Sequence, residues 1–303
     1  MPIAEVALDW FERNARDLPW RVPGVGAWPI LVSEVMLQQT PVSRVLPVWT
    51  DWVRRWPTPA HLAADTAADA IRAWGRLGYP RRAMRLHACA EAIVERHDGE
   101  VPSRLEQLLA LPGIGDYTAR AVAAFAYGQR HPVVDVNVRR LAARAVSGAA
   151  EPGPATTPAD LALVEGLLPA EPAVAARVSA AYMELGAVIC TARNQNCADC
   201  PLTSSCAWLA AGRPASTGPS RRPQGYAGTD RQVRGLIMAE LRGSSEPVPS
   251  DRIALLWHLP EQRDRALASL LADGLVTRSG RDRFALAGET RQDSVMNTAR
   301  LGD

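Results

Sequence analysis

The run L-P-G-I-G-D-Y-T-A, residues 111–119, lies between two apolar stretches, L-L-A (108–110) before it and R-A-V-A-A-F-A-Y-G (120–128) after it. Gly113 and Gly115 permit a tight hairpin, and the flanking segments read as helix on either side. Backbone N–H groups at the start of the second helix lack intrahelical partners and are free to face a phosphate. Alone, the stretch is equally an ordinary helix-turn-helix corner. Its meaning depends on the residues that accompany it.

The chain has 303 residues, 47% apolar and 22% charged, which suits roughly two globular domains of about 150 residues. No apolar run approaches the roughly 20 residues of a membrane span. The start, M-P-I-A-E-V-A-L-D-W, lacks the basic and apolar regions of a signal peptide, so a cytoplasmic location is expected. The formal charge is only +2, so a basic surface for nucleic acid must be local. All 34 basic residues are arginine, which reads as compositional bias.

Up to about residue 210 the pattern is helical, with helices expected among others at Pro29–Gln39, Pro59–Trp74, Tyr117–Tyr127, Asn137–Val146 and Ala173–Val188. Thr58 and Thr157, each before a proline, are expected N-caps. Residues 211–229 have the Gly, Pro, Ser and Arg content of a linker. Residues 230–287 read as three helices and a hairpin turning at Ser279-Gly280, a winged-helix-like α+β unit. The polar tail 288–303 is expected to be disordered.

Four of the five cysteines, Cys190, Cys197, Cys200 and Cys206, follow a C-x6-C-x2-C-x5-C spacing. In a reducing compartment such a loop is a metal site rather than a disulfide framework. Structural zinc more often uses two C-x2-C pairs, and only one exists here, so the spacing favours an iron-sulfur cluster over zinc. Cys89, alone, reads as core.

Two carboxylates stand out. In S-E-V-M-L-Q-Q-T (33–40), Glu34 has helical neighbours Ile30, Leu31, Leu37 and Gln38, three of them aliphatic. A carboxylate there is a buried ion pair or a group placed for chemistry. Asp135 opens V-D-V-N-V (134–138), where it reads as an N-cap.

Taken together and in order, S-E-V-M-L-Q-Q-T, L-G-Y, L-P-G-I-G-D-Y-T-A, V-D-V-N-V and the four-cysteine loop resemble the helix-hairpin-helix DNA glycosylases, specifically the MutY-type adenine DNA glycosylases. The resemblance covers residues 5–210. It implies a mainly α helix-hairpin-helix catalytic core at 1–210 with a 4Fe-4S cluster on the four cysteines. The implied partner is duplex DNA with adenine mispaired with 8-oxoguanine or guanine, bound by a monomer. Glu34 would protonate the leaving adenine, and Asp135, kept ionised by free N–H groups, would stabilise the sugar cation. Tyr117 and Asn137 would support Asp135 by hydrogen bonding.

By the same resemblance Gln39, Leu77 and Tyr79 would fill or wedge the base stack, and Arg16, Leu18, Trp20 and Arg21 would line the adenine pocket. Arginines of R-L-G-Y-P-R-R-A-M-R and N-V-R-R would contact phosphates. Endonuclease III carries a lysine after the hairpin where this chain has Tyr117, and a phenol forms no Schiff base, so strand cleavage is not expected. The alternatives are an endonuclease III-like lyase and a non-catalytic iron-sulfur DNA-binding regulator.

The sequence departs from the family twice. Val136 replaces the usual glycine, which excludes positive φ there. Residues 230–287 are too short and helical for the Nudix-like domain of many MutY enzymes, although Arg231, Arg234, Arg278, Arg281 and Arg283 would allow DNA contact.

Overall fold

The computed structural model describes residues 2–216 and 225–289. The expected linker falls partly outside the described residues, and the expected disordered tail almost wholly so. In chain order the helices are α1 (Ile3–Asn14), α2 (Ala27–Leu37), α3 (Val42–Arg55), α4 (Pro59–Ala64), α5 (Ala67–Trp74), α6 (Arg81–Arg96), α7 (Leu105–Leu109), α8 (Asp116–Tyr127), α9 (Val136–Ala145), α10 (Pro158–Gly166), α11 (Pro172–Val188) and α12 (Ala207–Ala210). A C-terminal module follows with α13 (Asp230–Arg242), β1 (Val248–Pro249), α14 (Ser250–Ala254), α15 (Pro260–Ala272), β2 (Val276–Arg278) and β3 (Arg283–Leu286).

The expected helix Pro59–Trp74 is two helices. Asp65-Thr66 interrupts it, because Thr66 accepts from the Asp69 N–H while the Asp69 side chain accepts from the Thr66 N–H. This reciprocal capping box starts a new helix. Thr157 caps α10 in the same way. Thr58 does not cap α4; its hydroxyl is 2.7 Å from His61 Nδ1 instead. The C-terminal hairpin gains a third strand, giving an antiparallel sheet of order β1-β3-β2 with Val248 opposite Phe284 and Val276 opposite Leu286. As the central strand, β3 buries Phe284, Ala285 and Leu286 in succession.

The chain forms two compact units. One runs to Glu34 and resumes at Val101. Its core is α11 packed on α1, α8 and α9, with Val138, Leu141, Val178, Ala181, Tyr182 and Leu185 buried. The other takes Val35–Glu100 together with the C-terminal module. In it Trp52 meets Trp56 and Trp74 edge-on, with ring centroids 4.5 and 5.6 Å apart. Helix α2 passes from one unit into the other at Glu34.

Helices α9 and α11 cross at Gly186. A Cβ there would sit 2.5 Å from the Asn137 carbonyl oxygen and 2.7 Å from its carbon. Both are backbone atoms, which cannot turn aside as a side chain can. Gly186→Ala is therefore expected to destabilise the fold by about 1–3 kcal/mol, read as a lower urea midpoint at unchanged slope. Gly166→Ala is the control: a Cβ there meets nothing within 4 Å, so it should cost nothing.

Candidate active site

Glu34 lies in the middle of α2, a helix whose Ile30, Leu31, Val32, Val35 and Met36 are all buried. Pro29 is tolerated in its first turn, so the helix starts at Ala27, ahead of the expected Pro29. Only 5% of Glu34 is exposed. Burial pushes its carboxyl up to about 7, and the nearby Asp135 charge adds to that rise, while Tyr117 and Arg21 oppose it. The Tyr117 hydroxyl donates to Glu34 Oε2 at 3.0 Å. This corrects the expected pairing of Tyr117 with Asp135: Tyr117 reaches the other carboxylate and senses Asp135 only through its charge, and burial raises its phenol well above the usual range.

Asp135 caps α9. Its Oδ1 accepts from the N–H groups of Asn137 (2.9 Å) and Val138 (2.8 Å), and Oδ2 accepts from Asn137 Nδ2 at 2.8 Å. These three bonds favour the carboxylate, yet burial outweighs them and the net shift is upward. Hydrogen bonding therefore limits the rise rather than holding the group low, as the sequence had led one to expect. Arg140 Nη2 donates to Asn137 Oδ1 (2.7 Å) and to Gly186 O (2.6 Å), and its Nε to Cys190 O (2.7 Å). Arg140 thus ties the asparagine beside Asp135 to the start of the cysteine loop. Val136 points outward, 61% exposed and without positive φ, so the missing glycine has no steric consequence.

The segment around Arg16, Leu18, Trp20 and Arg21 is anchored by a residue that the sequence reading missed. Glu184 on α11 is fully buried. It accepts from Arg16 Nε (2.6 Å) and Nη2 (2.8 Å) and from Arg21 Nη2 (2.8 Å). Burial alone would raise this carboxylate, but the arginines prevail and hold it at about 2. Leu18 and Trp20 are buried between these anchors. Arg21 Nη1 is buried with no partner among the described residues, and its charge reaches Glu34. The signal was available: in A-A-Y-M-E-L-G-A the acid sits in an apolar helix, as Glu34 does.

Cys190, Cys197, Cys200 and Cys206 line one small cavity, walled also by Leu141, Ile189, Leu202 and Trp208. Arg144 fastens this loop to α9. Its Nη1 donates to Thr191 O at 2.7 Å and approaches Cys190 Sγ at 3.6 Å, and its guanidinium lies over the Trp208 ring. Among the described residues no three His, Cys, Asp or Glu side chains are gathered for a single metal ion. A cubane, in which each thiolate meets a different iron, needs the sulfurs spread around a larger body. Four free cysteines facing a shared, largely apolar cavity are a donor set that suits such a cluster.

Gly113 has φ +76, a conformation that needs glycine. Gly115 is extended at φ −96, where any residue fits; its small size leaves open the N-terminus of α8, where a Cβ would meet nothing. In the other unit Gln39 and Tyr79 both have positive φ, 54 and 48, and both are exposed, whereas Leu77 is buried. Three of the six arginines expected on phosphates are internal and three, Arg76, Arg81 and Arg85, are exposed. Arg82, Arg139 and Arg140 are buried, Arg139 donating to Gly153 O at 2.9 Å, and Arg81 pairs with Asp273 at 3.2 Å. In the C-terminal module Arg234 is engaged by Asp273 at 2.6 Å and Arg283 by Pro247 O at 3.0 Å.

Residues 32–165 match the HhH-GPD superfamily of base excision DNA repair proteins. The chain is 58% identical over 283 residues to an adenine DNA glycosylase of Mycobacterium tuberculosis, covering 93% of this chain and 92% of that one. It is 38% identical over 208 residues to the human adenine DNA glycosylase, covering 66% of this chain and 38% of the human one. A solved non-covalent endonuclease III–DNA complex shares the fold, with a TM-score of 0.59 at 20% identity over 70% of this chain and 95% of that one. The chain belongs to the adenine DNA glycosylases of the HhH-GPD superfamily of base excision DNA repair proteins.

Proposed function

We propose that this chain, as a monomer, removes adenine mispaired with 8-oxoguanine or guanine, leaving an unbroken abasic strand. The observation that carries the reading is the electrostatic pairing of Glu34, whose carboxyl burial pushes up to about 7, with Asp135, which accepts three hydrogen bonds. All these side chains come from one chain.

The adenine must leave the stack to reach a buried acid. Glu34 then gives its proton to a ring nitrogen, and the sugar–purine bond breaks with its electron pair going to the base. The sugar is left as an oxocarbenium ion, which the Asp135 carboxylate stabilises across a low-dielectric gap. Water adds to the sugar carbon and loses a proton, giving free adenine and an abasic site. Glu184 keeps the 16–21 segment in place, and Arg21 Nη1 leaves one donor for a bound base. The open N-terminus of α8 supplies N–H groups for a phosphate.

Single-turnover adenine release should follow the protonated fraction of Glu34. Because this is an acid that must hold its proton, the rate is expected to fall tenfold per pH unit above about 7, with an acidic limb reporting Asp135. Glu34→Gln should slow release roughly 100- to 10,000-fold; unchanged release would remove Glu34 from the mechanism. Comparing A:8-oxoguanine, A:G and A:C duplexes tests the choice of opposite base.

The 303-residue sequence contains no lysine, so it offers no side-chain amine to form a Schiff base. The product strand is expected to stay intact until alkali is added, and borohydride should trap no protein–DNA adduct. A trapped adduct would favour the endonuclease III-like reading.

For the cofactor, Cys190, Cys197, Cys200 and Cys206 would hold a 4Fe-4S cluster, whose contribution is to cross-link the loop to itself, while Arg144 fastens that loop to α9. Anaerobically purified protein should contain roughly four irons and four sulfides per chain. Cys200→Ala should lower both, and zinc in their place would overturn the assignment.

A further inference from the structure

The C-terminal module is clamped to the helices of its own unit by carboxylates. Glu289 pairs with Arg72 of α5, and Asp273 takes Arg81 of α6 as well as Arg234. Arg72 Nη2 also donates to Ser244 O at 2.9 Å. Close packing continues between Gly288 and Ala67 and between Gly274 and Met84.

Once these carboxylates are engaged, a group of arginines at the same junction has no acidic partner among the described residues. The loop Arg76–Tyr79 joins α5 to α6, and Tyr79 stands 49% exposed in a left-handed conformation. Its ring is flanked by two cations, buried Arg82 at 5.6 Å and exposed Arg231 of α13 at 5.2 Å. At the other end of α13, half-buried Arg242 lies close enough to Arg76 for the like charge, after burial itself, to lower its pKa. Arg44 of α3 donates to the Arg76 carbonyl and brings a third guanidinium to the loop. Like charges held together without a counter-ion oppose folding, and an arriving anion relieves them.

We propose that the C-terminal module is part of the duplex-binding surface, with Arg231 and Arg242 binding DNA phosphodiesters on either side of the step that Tyr79 enters. This rests on the proposed reading of the chain as a glycosylase that opens the base stack, and it adds a grip supplied by the C-terminal module. Arg231 serves twice: it holds the Tyr79 ring by a cation–π contact and leaves its remaining donors for phosphate. The aromatic ring supplies the sequence-tolerant stacking face, and the arginines supply the charge.

The test is the salt dependence of binding, measured by fluorescence anisotropy with the full chain and a labelled, fully paired duplex. Each phosphate contact contributes about 0.9 to the slope of log affinity against log salt. Arg231→Ala/Arg242→Ala should weaken binding and lower the slope by about 1.8, and the double lysine variant should restore most of it. Arg265→Ala, an exposed arginine paired with Asp230 at 2.7 Å, should leave the slope unchanged. A double alanine variant with wild-type slope would overturn the proposal, as would weaker binding at an unchanged slope, which would mark a structural effect. Adenine release by the wild-type chain is scored separately on an A:8-oxoguanine duplex. Its absence would defeat the glycosylase reading, whereas the binding slope would still be measured.

Discussion

Everything at the candidate site follows from burying acidic groups in a helical interior and giving each a different set of partners. Glu34 receives one phenol donor and an apolar wall, and rises to about 7. Glu184 receives two guanidinium groups and is held at about 2. Asp135 lies between these extremes, with two backbone N–H groups and one amide opposing its burial. Desolvation acts on all three in the same direction, so the number and charge of the donors decide which acid keeps its proton near neutral pH.

That division depends on helix packing. Gly186 lets α11 approach the first turn of α9, and the Gly186 carbonyl accepts from Arg140, which in turn donates to Asn137. Asn137 then donates to Asp135. Displacing α11 would therefore disturb the asparagine donor and the cap together. The cysteine loop enters the same chain of bonds through the Cys190 carbonyl and Arg140. A structural cluster there would act on the site by fixing positions, with no need to take part in the reaction.

The local patterns legible in the sequence were those whose meaning does not depend on distant partners. The hairpin, the cysteine spacing and the placement of Glu34 in an apolar helix needed only neighbours in the chain. Thr66 was also local, as the start of a T-x-x-D capping box, and was hidden by the continuous helical periodicity around it. What the sequence could not give was partnership across long separations. Tyr117 binds Glu34 and not Asp135 because α8 and α2 meet from positions 83 residues apart. Glu184 and Arg16 are 168 residues apart. Arginines in R-L-G-Y-P-R-R and N-V-R-R read alike in the sequence, yet Arg82, Arg139 and Arg140 are buried while Arg76 and Arg81 are exposed; the same charge pattern serves an exposed face and an internal tie.

The internal ties are of a kind that arginine can make and lysine cannot. Arg82 donates to the carbonyls of Val35, Met36, Gln38 and Gly78 and to the Thr40 hydroxyl. In this way it fastens the turn carrying Gln39 to the loop carrying Tyr79. An ammonium group has three donors on a single atom and could not span those acceptors. Arg140 and Arg144 make comparable multi-point ties around α9. A guanidinium also stays charged and is a poor nucleophile. The arginine bias that appeared uninformative in the composition is thus compatible with a tightly bonded interior.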